Sequence, residues 1–266
     1  MKKALIALVT AALFTAACTT TKKKADASIT NSGKVWSSLW QQRAAEYRAL
    51  CFQAYNVARL RVDESLKNPG PRPQAVITDI DETVLDNSPY DAMRAANNQD
   101  FDLKGWKTWT AKGIADTVPG APAFFKYAAS KGVTVFYITN RDEDERAATL
   151  KNLQLYNMPN ADNAHLMLRQ TSSSKEVRRQ NVLKTHNVVL LCGDNLPDFD
   201  VLYDNHPPEE TRAAVTNRLQ KEFGGRYIII PNPSYGDFEG AFFNNGKLSL
   251  AQKDSVIRAK LKVDRQ

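Results

Sequence analysis

Between residues 75 and 231, five short apolar runs alternate with helical stretches, and this alternation constrains the fold more than any other feature. The runs are Ala75 to Thr78, Thr134 to Ile138, His165 to Leu168, Val188 to Cys192 and Tyr227 to Pro231. Pro122 to Ser130, Glu143 to Tyr156 and Lys175 to Thr185 read as the intervening helices. Strands separated by helices imply an α/β fold whose parallel sheet is covered on both faces. In such sheets ligands bind at the carboxyl ends of the strands, near the switch point. Chemistry is therefore expected in the loops that directly follow the strands.

Upstream, Trp36, Leu39, Trp40, Tyr47, Leu50, Ala54, Val57 and Ala58 recur at steps of three and four. That spacing predicts one long helix over 36–67 with these side chains on its inner face. The break Pro69-Gly70-Pro71-Arg72-Pro73 ends it. Further upstream, Lys2 and Lys3 precede an apolar stretch from Ala4 to Phe14 and the small residues Thr15-Ala16-Ala17. This is the pattern of an export signal over 1–17, too short to span a bilayer. Cys18 follows, and the segment resembles a bacterial lipobox, with Thr15 standing where leucine is usual. The resemblance implies lipidation at Cys18. Thr19, rather than aspartate, follows the cysteine, which favours the outer membrane, facing either the periplasm or the outside. Residues 18–33 read as a polar tether, 34–73 as a helical segment and 74–231 as the core. The stretch 232–266 is expected to pack with the N-terminal helix as a smaller helical lobe. Cys51 and Cys192 could pair in an oxidising compartment, but both fall on apolar faces, so two buried, unpaired thiols are the preferred expectation.

Four clusters follow strands or open helices. In Thr78-Asp79-Ile80-Asp81-Glu82-Thr83, two carboxylates two residues apart repel each other and lose hydration, a cost that a cation offsets. Their hard oxygens suit Mg2+. Ile138-Thr139-Asn140-Arg141 offers a hydroxyl, an amide and backbone N–H groups to an oxyanion. Lys175, after Thr171-Ser172-Ser173-Ser174, supplies a point charge suited to phosphate. Gly193-Asp194-Asn195-Leu196-Pro197-Asp198 adds two more carboxylates. Each cluster alone has an ordinary explanation as a turn, a helix cap or a solvated lysine. Four of them, ordered and each placed at an element end, do not.

The order Asp79-x-Asp81-x-Thr83, Thr139-Asn140, Lys175, Gly193-Asp194-x-x-x-Asp198 resembles the four-motif signature of the haloacid dehalogenase superfamily. Asp79-Ile80-Asp81-Glu82-Thr83-Val84-Leu85-Asp86-Asn87 is similar to the first motif of the class C bacterial acid phosphatases, which include outer-membrane lipoprotein 5′-nucleotidases. Pro231-Asn232-x-x-Tyr235-Gly236-Asp237 is similar to a further segment of that family. The resemblance implies a haloacid-dehalogenase-like core. It also implies an acid phosphatase acting on small phosphomonoesters, nucleoside 5′-monophosphates and nicotinamide mononucleotide among them. Asp79 would be the nucleophile, forming an aspartyl-phosphate, and Asp81 the general acid and base. Mg2+ would be held by Asp79, the backbone carbonyl of Asp81 and Asp194. Thr139, Asn140 and Lys175 would hold phosphate oxygens. Thr83 would stand behind this shell, and Asp198 would orient Lys175 or a metal-bound water. Tyr90, Trp106, Trp109, Tyr235 and Phe238 would border the mouth, with Trp106 or Trp109 and Tyr235 as a clamp for the base.

Two other readings remain open at this point. One is a non-catalytic lipoprotein that captures a nucleotide or haem, although His165, His186 and His206 are scattered and lack metal-ligand spacing. The other is a phosphotransferase using the same site. The absence of an Arg-His-Gly run argues against a histidine acid phosphatase, and the lack of clustered histidines against a two-metal phosphoesterase. The formal net charge of +7 comes partly from Lys2, Lys3 and Lys22 to Lys24. No basic stripe interleaved with aromatics points to a nucleic-acid polymer as partner. A homodimer is left open.

Overall fold

The computed structural model describes residues 28–264. The expected signal segment, Cys18 and residues 18–27 of the expected tether lie outside them. Helices α1 (Ile29–Arg43) and α2 (Ala45–Ser65) lead into strand β1 (Gln74–Thr78). An insert follows, made of β2 (Leu85–Asp86), α3 (Ser88–Ala96), α4 (Leu103–Thr110) and β3 (Asp116–Thr117). The core then continues through α5 (Ala121–Ser130), β4 (Thr134–Asp142), α6 (Arg146–Leu155), β5 (Leu166–Arg169), α7 (Glu176–Thr185) and β6 (Asn187–Gly193). Helix α8 (Glu209–Arg218), strand β7 (Tyr227–Ile229), α9 (Asp237–Phe242) and α10 (Leu250–Lys260) complete it.

The five long strands form one parallel sheet in the order β5-β4-β1-β6-β7, and β2 and β3 form a small antiparallel ribbon. Every residue of β1 is buried, as a central strand covered on both faces requires. Its alternating side chains feed two cores. Val76 joins Val135, Tyr137, Leu190 and Cys192 on the face covered by α2 and α5. Ala75 and Ile77 join Phe136, Ile138, Leu191 and Val182 of α7 on the other face. The chain leaves β1 to one side for β4 and β5, then crosses back to β6. The carboxyl ends of β1 and β6 therefore meet at the switch point.

The N-terminal region corrects the sequence reading in four ways. Helix α1 already begins at Ile29, inside the expected tether, because Ser28 caps it and Asp254 of α10 accepts hydrogen bonds from Ser28 Oγ and from the Ile29 and Thr30 amides. The single helix over 36–67 is two, divided at Ala44, whose backbone is extended (φ −76°, ψ 130°). No glycine or proline marks that break; packing imposes it. The buried face also differs. Trp36, Leu39 and Leu50 are exposed, and α1 buries a polar face of Thr30, Asn31, Ser37, Ser38 and Gln41. Helix α2 buries Tyr47, Cys51, Tyr55, Ala58 and Val62 against the sheet, so it belongs to the core layer and not to a separate lobe. Helix α1 is the part that meets the C-terminal segment, through Lys34 to Glu239 (3.1 Å) and Ser37 to Ser234 (3.0 Å). Cys51 and Cys192 are buried free thiols.

Candidate active site

The Asp79 amide donates to the Cys192 carbonyl (2.9 Å), carrying the β1–β6 pairing one residue past the end of β1. This places Asp79 beside the residues that follow β6. Asp79 is buried and its carboxylate contacts Lys175 Nζ, which lies 2.6 Å from Asp198 Oδ1. Asp194 leaves β6 and accepts from Asn232 Nδ2 (2.8 Å) and Thr83 Oγ1 (3.2 Å). Gly193 is required here by space, because a Cβ at that position would overlap the Asp198 carboxylate. The Asn195 amide in turn donates to Asp198 Oδ2 (3.0 Å).

Oxygens of Asp79, Asp194 and Asp198 lie within 4.8 Å of one another. One ammonium faces these three carboxylates. Burial pushes the Asp79 carboxyl up to about 7; Lys175 opposes the rise, while Asp198 and Asp81 add to it. Burial, with Asp198 and Asp79, pushes Asp194 well above the usual carboxylate range. Burial pulls Lys175 down, but Asp198 and Asp79 more than offset it and leave it raised. Negative charge thus remains uncompensated among hard oxygen donors, the setting in which a divalent cation fits.

Asp81 stands apart from this trio. Its carboxylate takes a bidentate grip from Arg141, Nη2 donating to Oδ1 at 2.7 Å and Nε to Oδ2 at 3.2 Å, and accepts from Asn87 Nδ2 at 2.9 Å. The buried Arg141 also donates to Thr149 (3.2 Å), and its guanidinium lies 5.8 Å from the Trp106 ring centre. Next to Asp81, Glu82 is fully buried in the left-handed region (φ 55°). It accepts from the Asn87 amide (2.7 Å) and from the Tyr235 hydroxyl, and burial pushes its carboxyl far up.

Of the residues singled out from the sequence, Asp79, Asp81, Asn140, Lys175, Asp194, Asp198, Trp106 and Tyr235 line one cavity of about 680 Å3. The Thr139 hydroxyl is buried and accepts the Arg141 amide (3.1 Å). Asn140 Oδ1 accepts from Arg178 (2.7 Å). Two aromatic expectations are corrected. Trp109 turns its indole N–H to Asn87 Oδ1 (2.8 Å) and packs on the core, so it does not border the mouth. Phe238 lines a different groove, described below. The aromatic wall is instead Tyr90, Phe101 and Trp106, with ring centres 5.5–6.4 Å apart. Arg141, Phe101, Glu82 and Asn232 were not singled out as site residues from the sequence. Arg141, Glu82 and Asn232 lay inside clusters or segments already quoted, and Phe101 carried no positional signal. A second acidic group, Asp142, Asp144 and Glu145, is largely neutralised by Lys107 and Arg169.

Comparison with known proteins agrees with this geometry. A family model described as HAD superfamily, subfamily IIIB (acid phosphatase) matches residues 2–238. The class C acid phosphatase of Bacillus anthracis superposes with a TM-score of 0.84 and 37% identity, covering 89% of this chain and 99% of the other. A second structure of that enzyme, with tungstate bound, superposes at 0.83. A stem 31 kDa glycoprotein of Glycine max is 27% identical over 59% of this chain and 57% of its own length. Acid phosphatase 1 of Solanum lycopersicum is 31% identical over 29% of this chain and 30% of its own length. The chain thus spans less than two thirds of the curated relatives it matches.

Proposed function

The chain belongs to subfamily IIIB of the HAD superfamily, the acid phosphatases, and from that premise we propose that it hydrolyses small phosphomonoesters with Asp79 as nucleophile. An Asp79 oxygen attacks phosphorus as the ester bond breaks, giving an aspartyl-phosphate that water then hydrolyses. Asp81, on the cavity side of the Arg141 grip, gives a proton to the leaving oxygen and takes one from the attacking water. Lys175, with Asn140 and Thr139, holds the phosphoryl oxygens. Asp79, Asp194 and the backbone carbonyl of Asp81 are the groups that would hold Mg2+. When bound, the cation neutralises charge that develops between nucleophile and phosphoryl group. The tungstate bound by the Bacillus anthracis enzyme, an oxyanion like phosphate, lends support to an anion site in this fold.

The observation that carries this reading is the trio of buried Asp79 and Asp198 and half-buried Asp194 around a single lysine. A binding protein for neutral ligands has no use for such an arrangement. The wall of Phe101 and Trp106 suits a flat ring stacked above the phosphate, which favours nucleoside 5′-monophosphates over simple alkyl esters. Tyr235 is committed to Glu82 and acts as a buttress in this scheme. Acylation at Cys18 would tether the protein to the outer membrane; labelling with a radioactive fatty acid that persists in Cys18→Ser would contradict that.

The test is phosphate release from nucleoside monophosphates and an aryl phosphate by the chelated protein, with and without added Mg2+. Turnover should need the cation and should be faster on the nucleotides. Turnover that survives chelation unchanged would overturn the metal's role. An added alcohol acceptor that captured most of the phosphoryl group would turn the reading to phosphoryl transfer.

A further inference from the structure

Behind the catalytic cavity lies a second groove of about 550 Å3, and the two share Asp194 and Asn195 in their walls. Its lining is mostly aliphatic: Leu50, Ala54 and Val57 from α2, and Ile228, Ile230 and Pro231 from β7 and the chain after it. Its polar lining is Gln53, Asp194, Asn195, Asn232 and, from α8, Arg212. This residue is 7% exposed, and its guanidinium has no hydrogen-bond or ion-pair partner among the described residues.

The acids that could pair with Arg212 are engaged elsewhere. Glu209, one turn earlier on α8, is held by Lys260 of α10. Asp237 attracts the guanidinium from a distance, but its carboxylate sits 3.4 Å from His206 and makes no hydrogen bond to Arg212. The Tyr203 ring, 6.0 Å away, gives a weak cation–π contact and no acceptor. A buried charge left unpaired is strongly unfavourable, and guanidinium groups are well shaped to take a carboxylate through two parallel N–H groups. Here the unpaired fork opens onto a groove of ligand size with apolar walls.

We propose that this groove binds an amphipathic monocarboxylate, its head on Arg212 and its acyl chain along Leu50, Ala54, Val57, Ile228 and Ile230. The volume accommodates a chain of roughly ten carbons. The head is anionic because Arg212 lacks a partner, whereas Asp194, the carboxyl group of the lining, already accepts from Asn232 and Thr83. The site differs from the phosphate site, whose cation, Lys175, contacts Asp79 and Asp198 and does not line this groove.

Calorimetric titration of the full chain, with inorganic phosphate and Mg2+ saturating the catalytic cavity, tests this. Decanoate should bind once per chain, decanol more weakly, and decyltrimethylammonium more weakly still. Arg212→Met keeps the bulk and removes the charge, so it should lower decanoate affinity by about tenfold or more while leaving decanol unchanged. Ala54→Trp fills the groove and should abolish both. Arg212→Met should also melt at the same temperature as the wild type or higher, and retain its phosphatase rate. Decanoate binding that is equal in wild type and Arg212→Met, or absent from the wild type, would overturn the proposal. A large fall in melting temperature for Arg212→Met would do so too, since it would mean that the guanidinium already has a partner within the protein.

Discussion

Asp79 and Asp81 are two residues apart on one loop, yet their surroundings are opposite. Asp79 turns inward, buried between Lys175 and two further carboxylates, and burial pushes it up to about 7. Asp81 turns outward to the cavity and is clasped by Arg141 and Asn87. The left-handed turn at Glu82 lies directly after Asp81, where the chain folds back on itself. The lesson is that an Asp-x-Asp pair does not act as a single acidic patch. One member is placed where a bound cation relieves it, and the other where a proton can be exchanged with substrate.

This division can be broken experimentally from either side. Asp194→Asn should have the largest effect: it removes one of the metal-holding carboxylates, and kcat should fall by about a thousandfold or more with Mg2+ affinity, read by calorimetry, falling in parallel. Asp81→Asn should lower kcat by about a hundredfold or more while leaving Mg2+ affinity near wild type. Equal losses of cation binding in the two variants would erase the distinction. Arg141→Met should cost less, about tenfold in kcat/KM, with cation binding unchanged.

Stability should show a subtler pH dependence. Asp79 and Asp194 have folded-state pKa values raised above the unfolded ones. The folded chain therefore holds more protons than the unfolded chain between about pH 4 and 7, and stability falls as pH rises through that window. Chelated protein should accordingly lose several degrees of melting temperature between pH 4.5 and 7.5. Mg2+ should remove most of that loss at the upper end. A melting temperature that rises over this range in chelated protein and ignores Mg2+ would contradict the uncompensated trio.

Much of this was legible in the sequence because parallel strands and their carboxyl-end loops leave a strong local pattern. Val188 to Cys192 is a continuous apolar run followed by Gly193-Asp194, and the sheet places that turn against Asp79. What was not legible depends on tertiary contacts. Nothing in Arg43-Ala44 announces the break between α1 and α2, since alanine favours helix and only packing overrides it. The inward face of α1 is polar, so the apolar positions Trp36 and Leu39 pointed the wrong way. Strands of two residues, such as β2 and β3, carry no readable period. Trp109 was misjudged for a related reason. An indole's hydrogen-bond partner, Asn87 here, is set by a fold-back 22 residues long that no spacing rule reports.

The central claim is that Asp79 itself attacks phosphorus. The most direct measurement is acid quenching of a single turnover with phosphate-labelled nucleotide, followed by mass spectrometry of the peptide that spans Asp79. A phosphoryl group on Asp79 in the wild type, lost in Asp79→Asn along with turnover, is the predicted result. A fully active Asp79→Asn, or a label found on another residue, would contradict it.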